Sequence, residues 1–470
     1  MARLRAWAPL GALMGVVALV CGAVIGGFAL LDGAGTGGGT GTGRGGGGKG
    51  DGWWAPGAQD RIRIGDAEPV SSDPWTGTWA TAPAGAEPGA PTGHPGRSIR
   101  NVVHTSIGGT GVRVTLSNLY SPTALLIGHA SIAIGKDGAG AGNSDSGSGS
   151  GSSGDSGSGA EAVAGTMRKL TFARQSSVTV PPRGQIVSDP VELPVPYDGD
   201  LLITLYTPAP GGPVTYHPLA LQTSYLAHGD RTEDLEGAAY TEPTGFWRYL
   251  TAVDVLNRDS PGAVVVLGDS ITDGDGSRHG ANHRWPDTLA ARLRDQHIGV
   301  LNEGIRGNRV LADQSRRGCG ESGLSRFRRD VLGRAGVKAV VIDLGVNDIL
   351  RGGVADPAAV TAGLRELTRQ AHAHGVRVIG ATLAPFGAYG GYGDVAESVR
   401  ERVNEEIRYG GVFDAVVDFD RVLRDPYAPD RLRPMYDSGD GLHPSDAGYE
   451  AMGRSLDLAA LEGGRVRARL

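Results

Sequence analysis

Cysteine is almost missing from this chain: two residues in 470, Cys21 and Cys319. Cys21 lies in the N-terminal apolar segment, so the rest of the chain cannot close an internal disulfide. Cys319 is then a lone thiol and reads as a tolerated loop residue. A surplus of positive charge is missing too. The formal net charge is -6, spread along the chain, and no block of Lys or Arg flanks aromatic positions. Nucleic acid is therefore not an expected partner. Glycine, by contrast, is abundant at 78 residues, but much of it sits in two tracts, and the remainder has the composition of ordinary folded domains.

The N-terminus carries a targeting pattern. Arg3 and Arg5 precede an apolar run from Trp7 to Leu31. About 20 apolar residues suffice to cross a bilayer as a helix, and a basic start followed by such a run is the pattern of an export signal. Residues 1–31 are expected to be a signal peptide or a transmembrane anchor, which places the remainder outside the cytoplasm, secreted or membrane-anchored. A Gly/Thr linker, 32–72, comes next.

From residue 73 to 258 the texture is β-rich. "NVVHTSIGGTGVRVTLSNL", "ALLIGHASIAIG", "SSVTVPP", "GQIVSDPVEL" and "DLLITLYTP" alternate with period two between Gly, Pro and Asp. Strands without helical interludes predict an antiparallel sandwich or jelly roll. The Gly/Ser run 136–160 interrupts it as a disordered loop insertion. From 259 to 465 apolar strands ("AVVVLG", "GVLN", "KAVVIDLG", "VRVIGATL", "DAVVDF") alternate with helical stretches such as "PAAVTAGLRELTRQAHAHG". That alternation predicts a three-layer α/β domain around a parallel sheet.

Ligands of doubly wound sheets gather beyond the carboxyl ends of the strands. Four polar segments fall there: "GDSITDG" with Ser270, "NEGIRGN" with Gly307, "GVND" with Asn347, and "DGLHP" with Asp440 and His443. A serine hydroxyl needs a base to become a nucleophile, and an imidazole titrating near neutrality is suited to that task. His443 can be that base, and Asp440 can hold its other ring nitrogen, with Asp437 as the neighbouring carboxylate that could replace it. The N–H groups of Ser270 and Gly307 and the Asn347 amide can stabilise an oxyanion. Thr272 occupies the last position of a G-x-S-x-G pattern, which argues against a nucleophile elbow.

These four segments, in this order, resemble the blocks of the SGNH hydrolases, also called GDSL esterases/lipases. The β-rich region, with "GTWA" and "YHPLALQTSY", resembles the N-terminal region of exported bacterial members. The resemblance implies a flavodoxin-like hydrolase domain with Ser270 as nucleophile, His443 as base and Asp440 as its partner. It implies an oxyanion hole of Ser270, Gly307 and Asn347. Arg306 departs from the pattern, since a small residue is common before the oxyanion glycine.

Other polar residues read as structural. Asp273 and Asp348 are expected to orient loops, and His217 to be packed within the β-rich region, with a role at the interface as the alternative. "DGDGS" at Asp273–Ser277 lacks the glycine and glutamate of a calcium loop, and His279 and His283 lie in a Gly-rich stretch, so no metal or organic cofactor is expected. The expected activity is hydrolysis of carboxylic esters, short acyl or acetyl groups on a small molecule or polysaccharide. The alternatives are a lipase or acyltransferase acting on lipid or sugar hydroxyls, and an inactive carbohydrate-binding surface protein.

Overall fold

The computed structural model describes residues 74–136, 158–315, 318–390 and 393–461. The N-terminal segment 1–31, the linker 32–72 and most of the 136–160 insertion lie outside the described residues. Among the described residues no helix is long and apolar enough to cross a membrane.

The β-rich region is built from two antiparallel sheets. One runs in the order Trp75–Ala80, Leu250–Leu256, Gly109–Ser117, Val191–Val195, with Gln185–Val187 also paired to Gly109–Ser117. The other has six strands, in the order Glu242–Thr244, Ser224–His228, Arg97–His104, Asp200–Thr207, His129–Ile134, Arg168–Leu170. Alternate residues of each point inward, and Ile99, Val103, Ile203 and Leu205 from one sheet share a buried cluster with Val112, Val114, Val253 and Val255 from the other. Period-two alternation over a shared apolar layer makes a sandwich. A smaller three-stranded sheet, Trp247–Arg248, Thr215–His217, Gly85–Ala86, lies beside them.

The flanks of the insertion are more ordered than the sequence suggests. Gly135 bridges Ala162 and the Lys136 N–H donates to Glu161. Ser158–Ala160 makes a helical turn whose Ala160 carbonyl accepts from Nη1 of the buried Arg100 at 2.6 Å. A Gly/Ser run carries no apolar period, so its last residues looked like more of the loop; what recruits them is a distant guanidinium.

The second region has a five-stranded parallel sheet. Its spatial order is Ile298–Gly304, Gly262–Gly268, Val337–Asp343, Arg377–Ala381, Ala415–Val417, so the chain starts inside the sheet, steps to one edge and then winds back to the other. The strands are apolar on both faces because helices cover both. Val265, Leu267 and Val340 pack on one side with Leu364 and Leu367, while Val264, Val266 and Val341 pack on the other with Trp285, Leu289 and Met452. Helix Pro357–Ala373 shows the local logic. Asp356 caps it by accepting from the Ala358 N–H, proline occupies its first turn, and Val360, Leu364, Leu367 and Ala371 line its buried face.

Both regions fall in one compact unit. Strand Trp75–Ala80 lies along the edge strand Ile298–Gly304, so close that a Cβ at Gly299 would stand 2.2 Å from the Gly77 carbonyl. Ser106 caps the Val300 N–H at 3.0 Å, and the Gly77 N–H donates to Ala335 at 3.0 Å. The free edge of the parallel sheet is thereby covered.

Excising 137–157 should leave the urea midpoint essentially unchanged, within about 0.5 kcal/mol. Extending the cut through Ala160 removes the acceptor of Arg100 Nη1, a buried donor, and is expected to lower unfolding free energy by about 1–3 kcal/mol.

Candidate active site

The strand order places a switch point at Gly262–Gly268, whose neighbours leave in opposite directions, and the crevice beyond such a point is where doubly wound sheets bind ligands. Three of the four polar segments come directly after the adjacent strands Gly262–Gly268, Ile298–Gly304 and Val337–Asp343.

Ser270 opens a single helical turn, Ser270–Asp273, capped by Asp269, whose carboxylate accepts from the Ile271 N–H at 3.0 Å. The turn folds back tightly on its strand: a Cβ at Gly268 would sit 2.1 Å from Thr272 Oγ1, so only glycine fits there. Thr272 Oγ1 donates to Asp343 at 2.8 Å and accepts from the Trp285 indole at 3.2 Å. These bonds pin the turn from behind.

His443 reaches Ser270 from the other end of the domain. Its Nε2 is 2.8 Å from Ser270 Oγ, and its Nδ1 is 2.6 Å from Asp440 Oδ2. A carboxylate only accepts, so Nδ1 carries the proton and Nε2 is free to accept from the serine. Both Ser270 and His443 are 5% exposed. Burial pulls the Asp440 carboxyl up, but bonds from the His443 N–H, the His443 ring and the Leu442 N–H hold it below the ordinary carboxylate range. Asp437 accepts instead from the Gly439 and Gly441 N–H groups and shapes the loop. Helix Asp446–Ser455, capped by Ser445, anchors the C-terminal side of the His443 loop. Its Tyr449 hydroxyl donates to the Asp275 carbonyl at 2.6 Å, tying the helix to the nucleophile loop.

The donors stand around the same turn. Asn347 donates to Asp269 Oδ2 at 3.2 Å, which orients its amide beside Ser270 and leaves the second N–H of that amide available. Burial and the neighbouring Asp343 push the Asp269 carboxyl well above its usual range, and burial raises Asp343 to about 6. Gly307 occupies the third position of a turn closed by the Asn308 N–H on the Ile305 carbonyl at 3.0 Å, and its φ of +78° is what a type II turn requires there. The Ile305 N–H donates to Gly268 at 3.2 Å and the Arg306 N–H to Asp273 at 2.9 Å, which hangs this turn on the nucleophile segment. Cys319 packs against Gly307, where a Cβ would lie 2.9 Å from its Sγ. Asp348 accepts from the Val310 and Leu311 N–H groups, an orienting role.

Two features escaped sequence reasoning, and a third was foreseen only as an alternative. Fully buried Arg326 donates to Gly268 at 3.0 Å, to Glu303 at 2.8 Å and to Asn308, joining the ends of two strands; nothing in "LSRFRRD" marks it. Asp275 Oδ2 lies 3.7 Å from His443 Nε2 and 2.8 Å from Nε of Arg306, an ion pair by distance whose direction makes no hydrogen bond. His217 takes the interface role that the sequence left as the alternative to packing within the β-rich region, pairing with Asp273 at 3.0 Å.

A serine, imidazole and carboxylate in series at the carboxyl edge of a doubly wound sheet, with backbone and amide donors alongside, is the apparatus a serine hydrolase uses. Residues 266–451 match the model of the GDSL-like Lipase/Acylhydrolase family, so this stretch of the chain is a GDSL-like hydrolase domain. No curated protein matches the chain. Among solved structures it is similar to a carbohydrate acetylesterase family member from Sinorhizobium meliloti, at 20% identity over 43% of this chain and 98% of that one, with a TM-score of 0.36. It is similar to a GDSL-like lipase from Bacteroides thetaiotaomicron VPI-5482, at 21% identity over 43% and 88%, TM-score 0.32. The native aryl esterase of M. smegmatis shares 18% identity over 43% and 96%, TM-score 0.34.

Asn347→Ala should lower kcat about 100- to 1,000-fold, the typical effect of losing one oxyanion donor, with KM and the unfolding midpoint little changed.

Proposed function

We propose that this GDSL-like hydrolase is an exported serine esterase that cleaves short acyl esters, acetyl groups on carbohydrate included, through an acyl-enzyme on Ser270. The observation that carries the reading is the continuous bond series from Asp440 through His443 to the Ser270 hydroxyl. In the first half-reaction Ser270 Oγ attacks the ester carbonyl carbon as its proton passes to His443 Nε2. The N–H groups of Ser270 and Gly307 and the Asn347 amide receive the developing oxyanion. Collapse breaks the bond to the alcohol, which leaves with the proton from His443. Water then repeats the sequence on the acyl-enzyme and restores the serine. Asp440 stabilises the imidazolium that forms at each stage.

A short acyl group suits the surroundings. The segments bordering Ser270, "DGDGSRHGANH", "IRGN" and "DSGDGLH", are polar and Gly-rich and offer little apolar surface for a long chain. Export rests on the basic and apolar pattern of residues 1–31.

A fluorophosphonate probe should label the wild type and fail to label Ser270→Ala; equal labelling of both would remove Ser270 as nucleophile. With p-nitrophenyl esters of rising chain length, kcat/KM is expected to be highest at acetate or butyrate. A maximum at twelve carbons or more would replace the short-acyl reading with a lipase.

A further inference from the structure

We propose that His217, a residue of the β-rich region, is a positioning residue for the oxyanion turn and acts through Asp273. It lies outside the 266–451 segment that matches the family, so the hydrolase region alone does not contain its complete active-site support. The inference rests on the reading of Ser270 and Gly307 given above.

The imidazole sits between two acceptors. Its Nδ1 is 2.9 Å from the Ala82 carbonyl and its Nε2 is 3.0 Å from Asp273 Oδ1, with only 2% of the residue exposed. A carbonyl oxygen cannot donate, so Nδ1 carries hydrogen, and facing a carboxylate at Nε2 the ring donates on both sides as an imidazolium. Burial opposes the charge, but the Asp273 carboxylate and both bonds outweigh it and raise the His217 pKa above the ordinary imidazole value, against a smaller opposing effect of Arg284. The Trp247 ring lies alongside, with centroids 5.5 Å apart.

Asp273 is the last residue of the turn that Ser270 opens, and its second oxygen accepts from the Arg306 N–H at 2.9 Å. Arg306 immediately precedes Gly307. Three bonds in series therefore run from the backbone of the β-rich region to the peptide before the oxyanion glycine. The same strip of backbone touches the turn a second way. Ala82 and Ala84 form a closed apolar cluster with Ile305, the residue that begins the turn, and all three are 0% exposed. The Ala84 carbonyl accepts from the Gly320 N–H at 2.9 Å, one residue from the Cys319 that packs on Gly307. An oxyanion donor works only when held at the position where charge develops, and misplacement by about 1 Å costs on the order of 100-fold in rate. The clasp holds the glycine turn from behind.

Two neutral variants separate this role from plain packing. The amide nitrogen of Gln can take the place of Nε2 and reach Asp273, whereas that of Asn takes the place of Nδ1 and reaches only Ala82. With p-nitrophenyl acetate, His217→Asn is expected to lower kcat at least about tenfold with KM within about twofold. His217→Gln should recover most of that loss at a matching unfolding midpoint. Asp273→Ala, which removes both bonds and leaves the β-side packing in place, should lower kcat in the same selective way. Wild-type kcat in His217→Asn, or losses equal in the Asn and Gln variants that track the unfolding midpoint, would overturn the proposal. If His217→Asn does not fold, the Asp273→Ala result decides: unchanged kcat overturns it. Ser270→Ala is the separate control. Turnover surviving in that variant would remove the serine reading itself, whereas a dead Ser270→Ala beside fully active His217 and Asp273 variants removes only the clasp.

Discussion

The carbonyl of Gly268 is the point on which the active site is hung. It ends the first parallel strand, one residue before the cap of the nucleophile turn, and accepts from both the Ile305 N–H and the Arg326 guanidinium. The first bond brings the oxyanion turn to the nucleophile; the second brings a buried cation that also grips Glu303 and Asn308. With no side chain on Gly268, the turn can close over it, and the geometry of Ser270 and Gly307 becomes a property of backbone rather than of mobile side chains. Such preorganisation is what lets donors stabilise charge without moving during the reaction.

Around that point the domain buries several charged groups, and their distribution has a pattern. Behind the nucleophile, Asp269 and Asp343 lie together and burial pushes both carboxyls upward. On the far side Arg326 and Arg334 meet Glu303 and Asp330 within a buried group. Removing one member of such a group strands the others in low dielectric. His443 meets a carboxylate of the opposite kind: Asp440 is 44% exposed at its side chain and held charged by three donors. The carboxylate facing the His443 ring is thus the one whose bonds favour its charged form.

The sequence revealed those features whose signal is local. Apolar runs between amphipathic periods announced the parallel sheet, and the polar segments at their ends picked out Ser270, Gly307, Asn347, Asp440 and His443, which the structure brings to one rim. Asp440 and Asp437 could not be separated on spacing alone; three donors gathered on one of them did that. What stayed hidden acts through space. Arg326 looks like any arginine of a basic helix until four acceptors converge on it. His217 and Asp273 are 56 residues apart; the sequence singled out each of them but could not pair them. The end of the Gly/Ser insertion gave no hint that Arg100 would claim the Ala160 carbonyl.

Strand Trp75–Ala80 settles along the outermost parallel strand so tightly that a methyl group at Gly299 would meet the Gly77 carbonyl and one at Gly77 would meet the Leu301 side chain. Two backbones at that spacing cannot be parted and rejoined through generic side chains. The β-rich region is consequently no interchangeable cassette: grafting this hydrolase fold onto another carrier would require rebuilding the glycine seam as well as the linker, and each half constrains the mutations open to the other.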